Sequence, residues 1–185
     1  MPFDHKKYHA ITVSGKIAVG TTTLAKSLRD TLEWEYFNTG AMQREFDRLH
    51  NQNENAIGAA SRTDEHEREM EAMTKKILST KKHIIYEAWL SGFVAQGIDG
   101  VLKVLVVCSE YGVRVDRVVN REGITVEQAK EWMKSREEEN IPTWKRLYGD
   151  HDFWDPKNFD LVIDTYKTGP MESLGIVLDH LQYKK

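Results

Sequence analysis

Short apolar runs alternate with helix-type patterns along the 185-residue chain. Four runs have the length and composition of buried strands, and a weaker run at residues 34–39 is a candidate for a fifth. The four clear runs cover residues 9–15, 82–88, 101–109 and 159–165. Strands that are apolar along most of their length are usually covered on both faces. Because helical stretches separate these runs, the pattern predicts a parallel sheet between two layers of helices.

Helix signals follow most of these strands. The pattern of residues 21–32 predicts a helix directly after the first strand. Thr125, with Gln128 three residues later, predicts a capping box at the start of another helix. Pro170 suits the first turn of the last helix. The order of elements is therefore that of an α/β protein.

Two stretches look too polar to be core elements. Residues 50–67 are interpreted as an exposed connection, and residues 121–158, rich in Arg, Glu, Lys and Trp, as a protruding helical segment. The chain shows no internal repeat, and its length suits one hydrophobic core. We therefore predict one α/β domain, residues 1–185, with two mobile outgrowths.

Composition and charge exclude several classes of protein. A net charge of −3 does not supply the basic face that general nucleic-acid binding needs. The single cysteine, Cys108, excludes an internal disulfide. No apolar run approaches the roughly 20 residues of a membrane span, and the polar N-terminus lacks the apolar segment of a signal peptide. These features predict a cytoplasmic protein that binds neither nucleic acid nor membranes.

The stretch "VSGKIAVGTTTLAKSL", residues 13–28, has most features of a phosphate-binding loop. Gly15 and Gly20 have the spacing of G-x-x-x-x-G-K-[ST], and Thr22 stands where a hydroxyl ligates Mg²⁺. Between a strand and a helix, such a loop directs backbone N–H groups and the helix N-terminus at one anion. The residues predicted to bind the ATP phosphates are Gly15, Lys16, Ala18, Val19, Gly20, Thr21, Thr22 and Thr23. The alternative is an ordinary strand–turn–helix with incidental glycines.

The lysine of this motif is missing, because Thr21 occupies its position. Losing one group that stabilises an oxyanion raises a reaction barrier by roughly 2.7–4 kcal/mol. Lys16 is the nearest replacement, since its flexible stem can return a point charge across the loop. It could also act in a neighbouring subunit, as the displaced lysine of some deviant P-loop ATPases does. The remaining alternative is that Lys16 is a solvated loop residue.

Glu87 ends a predicted strand, and ligands of α/β sheets gather at the carboxyl ends of the strands. A carboxylate there suits an outer contact to Mg²⁺ or a contact to a bound sugar; the alternative is a surface acid. Five arginines also crowd one region, and guanidinium groups suit phosphate better than ammonium groups do. They are Arg114, Arg117, Arg121, Arg136 and Arg146. Neighbouring acids indicate that at least half of them form solvated salt bridges.

Taken in order, these signals resemble the nucleoside monophosphate kinases over nearly the whole chain. The similarity is greatest to the cytidylate kinase family in its compact archaeal-type form. "ITVSGKIAVGTTTLAKSL" resembles that family's first strand and phosphate loop, and "IIYEAWLSGF" its strand ending in Glu-Gly-Arg-Leu. "YFNTGAMQREF" and "TDEHEREMEAM" resemble its monophosphate-binding helices. "RVDRVVNREGITVEQAKEWMKSREEEN", followed by "KRLYG", is similar to its mobile lid, and "FDLVIDTYKTGPMES" to its last strand and helix.

The resemblance implies a three-layer P-loop NTPase fold with a five-stranded parallel sheet and helices on both faces. It implies a monophosphate-binding region at about 38–82 and a lid at about 121–150. The acceptor-binding residues are then Thr39, Gly40, Arg44, Asp64 and Arg68, to which we add Glu87 and Trp89. The catalytic residues are Lys16 with the lid residues Arg121, Arg136 and Arg146, which would close over the transferred phosphoryl group.

Three positions depart from the family pattern. Thr21 replaces the loop lysine, and Ala41 stands where the family has an acid. Ala88 and Trp89 replace a Gly-Arg pair whose arginine would grip the acceptor. The Trp89 ring could stack on a base instead, or it could simply pack.

The function predicted from this resemblance is transfer of the γ-phosphoryl group of ATP, with Mg²⁺, to a pyrimidine nucleoside monophosphate such as CMP or dCMP. The protein would act as a monomer or a homodimer. One alternative is a P-loop kinase for another small acceptor, which the Ala88–Trp89 pair favours. The other is a nucleotide-binding protein with weak or no transfer activity, which the missing lysine favours.

Overall fold

The computed structural model describes residue 5 and residues 7–42 and 63–184. These residues contain a five-stranded sheet in which every neighbouring pair of strands is parallel. The strands are β1 (Ala10–Ser14), β2 (Glu35–Asn38), β3 (Ile84–Glu87), β4 (Val101–Val107) and β5 (Leu161–Asp164), in the spatial order β2-β3-β1-β4-β5. The predicted parallel sheet is therefore confirmed, including its weak fifth strand, which is β2.

Six helices with complete bounds lie in the described residues. They are α1 (Thr21–Leu32), α2 (Asp64–Thr80), α3 (Ser91–Val94), α4 (Tyr111–Glu122), α5 (Val126–Tyr148) and α6 (Pro170–His180). A 3₁₀ turn, Pro156–Asn158, precedes β5, and residues 39–42 are also helical. Within the described residues, no helix combines the length and the apolar character needed to cross a bilayer.

The core lies on both faces of the sheet, as the continuous apolar strands predicted. Ile11 and Val13 of β1 pack in one cluster with residues of α1 and α6, such as Leu28 and Val177. Ala10, their neighbour on the same strand, packs in a separate cluster on the opposite face with α2. Successive side chains of a strand point to opposite faces, so one short strand supplies both layers of the core.

Helix α5 corrects the interpretation of residues 121–158 as a protruding segment. Its buried side chains include Ala129, Met133, Asn140 and Trp144. Ala129 and Met133 are four residues apart, as are Asn140 and Trp144, so the members of each pair lie on one face of the helix. A narrow buried stripe therefore runs through an otherwise charged sequence. The predicted capping box is present, since Thr125 and Gln128 bond each other's backbone N–H groups, and the helix continues through Pro142. The high content of charged residues concealed this buried stripe.

Parallel strands place all their carboxyl ends at one edge of the sheet. The connection from the central strand β1 runs to β2 on one side of the sheet, whereas the connections from its neighbours β3 and β4 run toward the other side. Ligands of open α/β sheets bind in the crevice at such a point. The phosphate loop follows β1 and Glu87 ends β3, so both reach this crevice.

Candidate active site

A cavity of about 1060 Å³ opens at the carboxyl edge of the sheet. The phosphate loop and the start of α1 form one wall, and the ends of β2 and β3 form the floor. Residues of α2, α4 and α5 and the segment after β5 complete the lining. The cavity is about as large as the largest pockets for single small ligands, which span roughly 300–1,000 Å³.

The loop backbone explains both glycines. Gly20 has φ of 104°, a left-handed conformation that glycine adopts without strain. A Cβ at Gly15 would lie 2.5 Å from the carbonyl oxygen of Val106, so close packing against β4 excludes a larger residue. Ala18 also has a positive φ, 59°, which an L-residue adopts at some cost. The loop is held in a conformation that its sequence alone does not favour.

Three side chains from later in the chain hold the carbonyl groups of residues 17–19. Arg114 donates from Nε to the first at 2.9 Å, and Arg117 donates from Nη1 to the second at 3.1 Å. Thr165 donates from Oγ1 to the third at 2.6 Å. These three side chains brace the loop. Arg117 also bonds the hydroxyl and the carbonyl of Thr165, at 2.9 and 3.0 Å, so two of the three braces are linked to each other. In a trans peptide the N–H points opposite to the C=O, so the following N–H groups point away from these braces.

Glu87 is the centre of the site's hydrogen bonding, although its side chain is only 6% exposed. One carboxylate oxygen accepts from the hydroxyls of Thr21, at 2.8 Å, and Thr22, at 2.6 Å. The other accepts from the Tyr36 hydroxyl and, at 2.7 Å, from the Asn38 amide. One buried carboxylate therefore joins the phosphate loop to strand β2.

Tyr36 and Asn38 were not identified from the sequence. Burial, and then the hydrogen bond to Glu87, raise the pKa of Tyr36 above its ordinary value, so the hydroxyl remains a donor. The two residues are two apart on one strand and therefore share a face of the sheet. That spacing, at the end of a strand beside a phosphate loop, is a signal that could have found them.

The oxygens around Glu87 fit a magnesium ion. Mg²⁺ binds oxygen ligands, and usually only one or two carboxylates, with waters and substrate phosphates completing its shell. The Thr22 hydroxyl and the Glu87 carboxylate, whose oxygens are 2.6 Å apart, are oxygen ligands of this kind. In the part of the chain that the structure describes, no group of three or more His, Cys, Asp and Glu side chains is arranged to hold a metal.

Lys16 lines the cavity, and its ammonium group lies beside one acidic and one aromatic side chain. Its Nζ is 4.0 Å from a carboxylate oxygen of Glu137 and 5.0 Å from the centre of the Trp154 ring. Arg114 holds the same Glu137 carboxylate at 2.7 Å. Lys16 thus contacts α5 and the segment that follows it.

Most of the predicted phosphate-binding residues lie together in the cavity wall. Val19 differs from the others, because its side chain is buried in the core and does not line the cavity. Its carbonyl, held by Thr165, is its contribution to the loop.

The predicted lid arginines separate into two groups. Arg121 and Arg136 line the cavity, and Arg121 also bonds Glu122 at 2.6 Å. Arg146 does not line it, because its guanidinium makes a two-pronged contact with Asp64, at 2.5 and 2.7 Å. Hydrogen bonding by Arg146 holds the pKa of the Asp64 carboxyl below its ordinary value. This pair ties the end of α5 to the start of α2.

The predicted acceptor residues are also divided. Thr39 and Gly40 line the cavity, whereas Asp64 and Arg68 do not. Arg44 lies outside the described residues. Thr39 Oγ1 is buried, and no hydrogen-bond partner for it lies among the described residues.

The cavity lining near the predicted acceptor residues contains further polar residues that the sequence did not reveal. Glu67 and Thr74 of α2 and Tyr148 of α5 line it, and Glu67 accepts a 3.3 Å hydrogen bond from the indole of Trp144. Burial, with Glu71 and Glu67 nearby, raises the pKa of Tyr148 to about 12. Tyr148 is therefore a hydroxyl donor at neutral pH.

Trp89 lines the cavity but is also packed among other aromatic rings. Its ring meets Trp144 edge-on at 5.5 Å and Trp154 at 6.2 Å between centroids. Its carbonyl accepts a 3.0 Å hydrogen bond from the Trp154 indole. These contacts favour the packing interpretation of Trp89, and its stacking on a base stays a prediction.

Comparison with known proteins gives one consistent result. Residues 10–167 match the family described as "Cytidylate kinase-like family". The cytidylate kinase of Pyrococcus furiosus is 33% identical to this chain and that of Methanocorpusculum labreanum 30%. The matches cover 92% and 90% of this chain, and 88% and 93% of those proteins.

Solved structures with low sequence identity share the fold. An uncharacterized protein from Eubacterium ventriosum has a TM-score of 0.70 and 12% identity, covering 95% of this chain and 99% of its own. The shikimate kinase of Acinetobacter baumannii has a TM-score of 0.58 and 13% identity, covering 96% and 95%. At these identities the likeness concerns the fold alone, which is that of the P-loop kinases.

Proposed function

Because the chain belongs to the cytidylate kinase-like family, we propose that it is an ATP-dependent nucleoside monophosphate kinase. It would transfer the γ-phosphoryl group of ATP to a pyrimidine nucleoside monophosphate, with CMP as the first substrate to test. Relatives that share about a third of its sequence are named cytidylate kinases.

The observation that carries the proposal is the position of Glu87. Its carboxylate bonds the hydroxyls of Thr21 and Thr22 on the donor side of the cavity. It also bonds Tyr36 and Asn38 on the strand that leads to the predicted acceptor region. A group that fixes both walls at once suits a reaction between two bound nucleotides, which depends on positioning more than on covalent chemistry.

On the donor side, the phosphate loop would hold the triphosphate of ATP through its backbone N–H groups. The braces from Arg114, Arg117 and Thr165 keep the loop in that conformation before the nucleotide arrives. The Thr22 hydroxyl and the Glu87 carboxylate would hold Mg²⁺, which when bound neutralises charge on the phosphates.

On the acceptor side, Arg121 and Arg136 would neutralise the charge that spreads over the transferred group. Thr39, Gly40 and the polar side chains of α2 would contact the monophosphate nucleotide. No protein base is required, because the attacking phosphate, with a second pKa of roughly 6, is already ionised at neutral pH. Helix α5 would exclude water, so that ATP is not hydrolysed.

A substrate panel tests this function. The protein is incubated with Mg·ATP and, separately, CMP, dCMP, UMP, AMP and GMP, and the ADP and nucleoside diphosphate formed are quantified. Formation of CDP, dCDP or UDP supports the proposal. ADP that forms equally with every nucleotide and without any would be hydrolysis of ATP by water, and that result would contradict the proposal.

A Glu87→Gln variant then tests the role of the Glu87 carboxylate. We expect turnover to fall about 10- to 100-fold, the loss typical of removing a carboxylate that orients the ligands of a metal ion. Glu35→Gln is the matched control, since Glu35 is also a strand carboxylate but lies outside the cavity lining and pairs with Lys81 at 3.1 Å. Equal turnover by the parent and Glu87→Gln would remove Glu87 from the mechanism.

A nucleotide-binding protein without transfer is the second candidate. Thr21 favours it, and so does Lys16, whose ammonium lies near Glu137 and Trp154. Binding of Mg·ATP without turnover on any monophosphate would support this candidate. If turnover is observed, a Lys16→Ala variant with the parent's rate excludes the replacement of the missing charge by Lys16.

A further inference from the structure

Thr21 and Thr22 use their hydroxyl protons in the same way. Both donate to the same oxygen of Glu87, at 2.8 and 2.6 Å. A hydroxyl has one proton and two lone pairs. While these bonds hold, both threonine oxygens can offer only lone pairs to anything else that approaches them. Neither hydroxyl is then available to donate a hydrogen bond to a phosphate.

Lone pairs and phosphate oxygens repel each other unless a cation lies between them. For Thr22 that cation is the Mg²⁺ of the proposed function. Thr21 stands where the loop motif has a lysine, whose ammonium would carry one positive charge to the same phosphates. In this chain the position presents an oxygen instead of a charge, and the lone pairs of that oxygen can ligate a cation.

The described cations around the cavity do not replace that charge at Thr21. Arg117 is bonded to the loop and to Thr165, and Arg121 is assigned above to the acceptor side of the transferred group. The Lys16 ammonium lies beside Glu137 and Trp154.

Two further cations line the cavity, Lys26 and Arg136. Lys26 lies five residues beyond Thr21 on α1, about 7.5 Å further along the helix axis. Arg136 belongs to α5, which would cover the acceptor side of the transferred phosphate. Neither residue is on the loop segment that would surround the β- and γ-phosphates.

We propose that a monovalent cation of the size of K⁺ or NH₄⁺ binds between Thr21 Oγ1 and the bound triphosphate, in place of the lysine ammonium. A single charge restores what the substitution removed. Potassium accepts neutral oxygens in place of its hydration shell, whereas a second Mg²⁺ would keep most of its waters and favour further carboxylates. The nucleotide phosphates would supply the remaining ligands, so the inference rests on the proposed ATP binding.

Calorimetry of nucleotide binding tests the inference without turnover. The probe is Mg²⁺ with an ATP analogue whose β–γ bridging oxygen is replaced by NH. It is titrated in KCl and in tetramethylammonium chloride at equal ionic strength. We expect the parent to bind at least tenfold more tightly in KCl, because the tetramethylammonium ion is too large and cannot be ligated by oxygen.

Three variants locate the effect. Thr21→Lys should bind with equal affinity in both salts, because the ammonium returns with the side chain. Thr21→Val should lose the preference for KCl and bind as weakly as the parent does in tetramethylammonium. Thr31→Lys adds the same charge ten residues further along α1, outside the cavity lining, and should keep the KCl preference. Thermal unfolding of each variant checks that it is folded.

The outcomes separate this inference from the function on which it rests. Equal affinity of the parent in both salts overturns the cation site and leaves the kinase proposal intact. A KCl preference that survives in Thr21→Val places the cation elsewhere and also overturns the inference. Absence of binding in every salt would instead contradict the proposed ATP site itself.

Discussion

The phosphate loop and helix α5 both line the cavity, but different forces hold them. Hydrogen bonds from Arg114, Arg117 and Thr165 to backbone carbonyls fix the loop. Helix α5 is fixed by apolar burial, with Met133 in one cluster and Trp144 in another. A loop that is fixed through its backbone keeps its shape when one of its own side chains changes, so the loss of the lysine need not have altered its conformation.

In α5, by contrast, the side chains themselves hold the element in place, so its packing decides which of its residues reach the cavity. A packed helix presents a fixed face, so its arginines cannot all reach the cavity. Arg136 and Arg146 are ten residues apart, which at 3.6 residues per turn leaves them about 80° apart around the axis. Arg136 lines the cavity and Arg146 bonds Asp64.

The largest expected effect is a loss of stability when the aromatic packing of α5 is removed. Trp144→Ala removes a ring that is 8% exposed and that meets Trp89, Trp154 and Phe153. We expect the free energy of unfolding to fall by about 3–5 kcal/mol, the usual cost of removing a large buried aromatic side chain. Chemical denaturation measures this loss. A loss below 1 kcal/mol would show that α5 is not held by its aromatic contacts.

The next effect should come from the braced loop. Arg117→Ala removes hydrogen bonds from a charged donor, each worth roughly 1.5–3 kcal/mol, so we expect Mg·ATP affinity to fall about 10- to 100-fold. Asn120→Ala is a useful control, because Asn120 is exposed on the same helix and does not line the cavity. The expected signature is a raised KM for ATP, larger than any change in KM for CMP. Unchanged ATP affinity would mean that the loop keeps its conformation without this brace.

The two arginines of α5 should differ in turnover. We expect Arg136→Met to lower kcat about 100-fold or more, since losing one stabiliser of transition-state charge costs roughly 2.7–4 kcal/mol. Arg146→Met should change kcat less than threefold, because an exposed ion pair contributes about 0–1 kcal/mol. Steady-state kinetics with CMP compares them. Equal losses would show that α5 rotates or shifts when nucleotides bind.

The smallest effect concerns the Asp64–Arg146 pair. The pKa of the Asp64 carboxyl is lower in the folded protein than in the unfolded chain. The stability that Asp64 contributes is therefore present above the unfolded pKa and is lost as the pH falls through the folded pKa. In urea unfolding between about pH 5 and pH 3, the parent should lose stability more steeply than Asp64→Asn. Parallel pH profiles would mean that the contact contributes nothing measurable.

How much of this molecule the sequence predicts depends on how local each signal is. Strands and helices follow from apolar periodicity within short windows, and even the weak strand β2 was found. The buried stripe of α5 was missed. It consists of only four residues, such as Ala129 and Met133, and the many charged residues around them hide the apolar spacing.

The site follows the same rule. The loop is a contiguous motif and was recognised in spite of Thr21. Its braces are not contiguous, since Arg117 meets Ala18 from 99 positions away, and no pattern within one helix reports that contact. Arg146 and Asp64, 82 positions apart, were both assigned to the reaction, whereas the structure bonds them to each other.

The central claim is that a loop without its lysine still supports phosphoryl transfer between two nucleotides. Phosphorus NMR of the parent protein with Mg·ATP and CMP, in a potassium buffer, tests it most directly. The account predicts that CDP and ADP appear together in equal amounts, with little inorganic phosphate. Signals of bound ATP that persist without CDP, or ADP accompanied by an equal amount of inorganic phosphate, would contradict it.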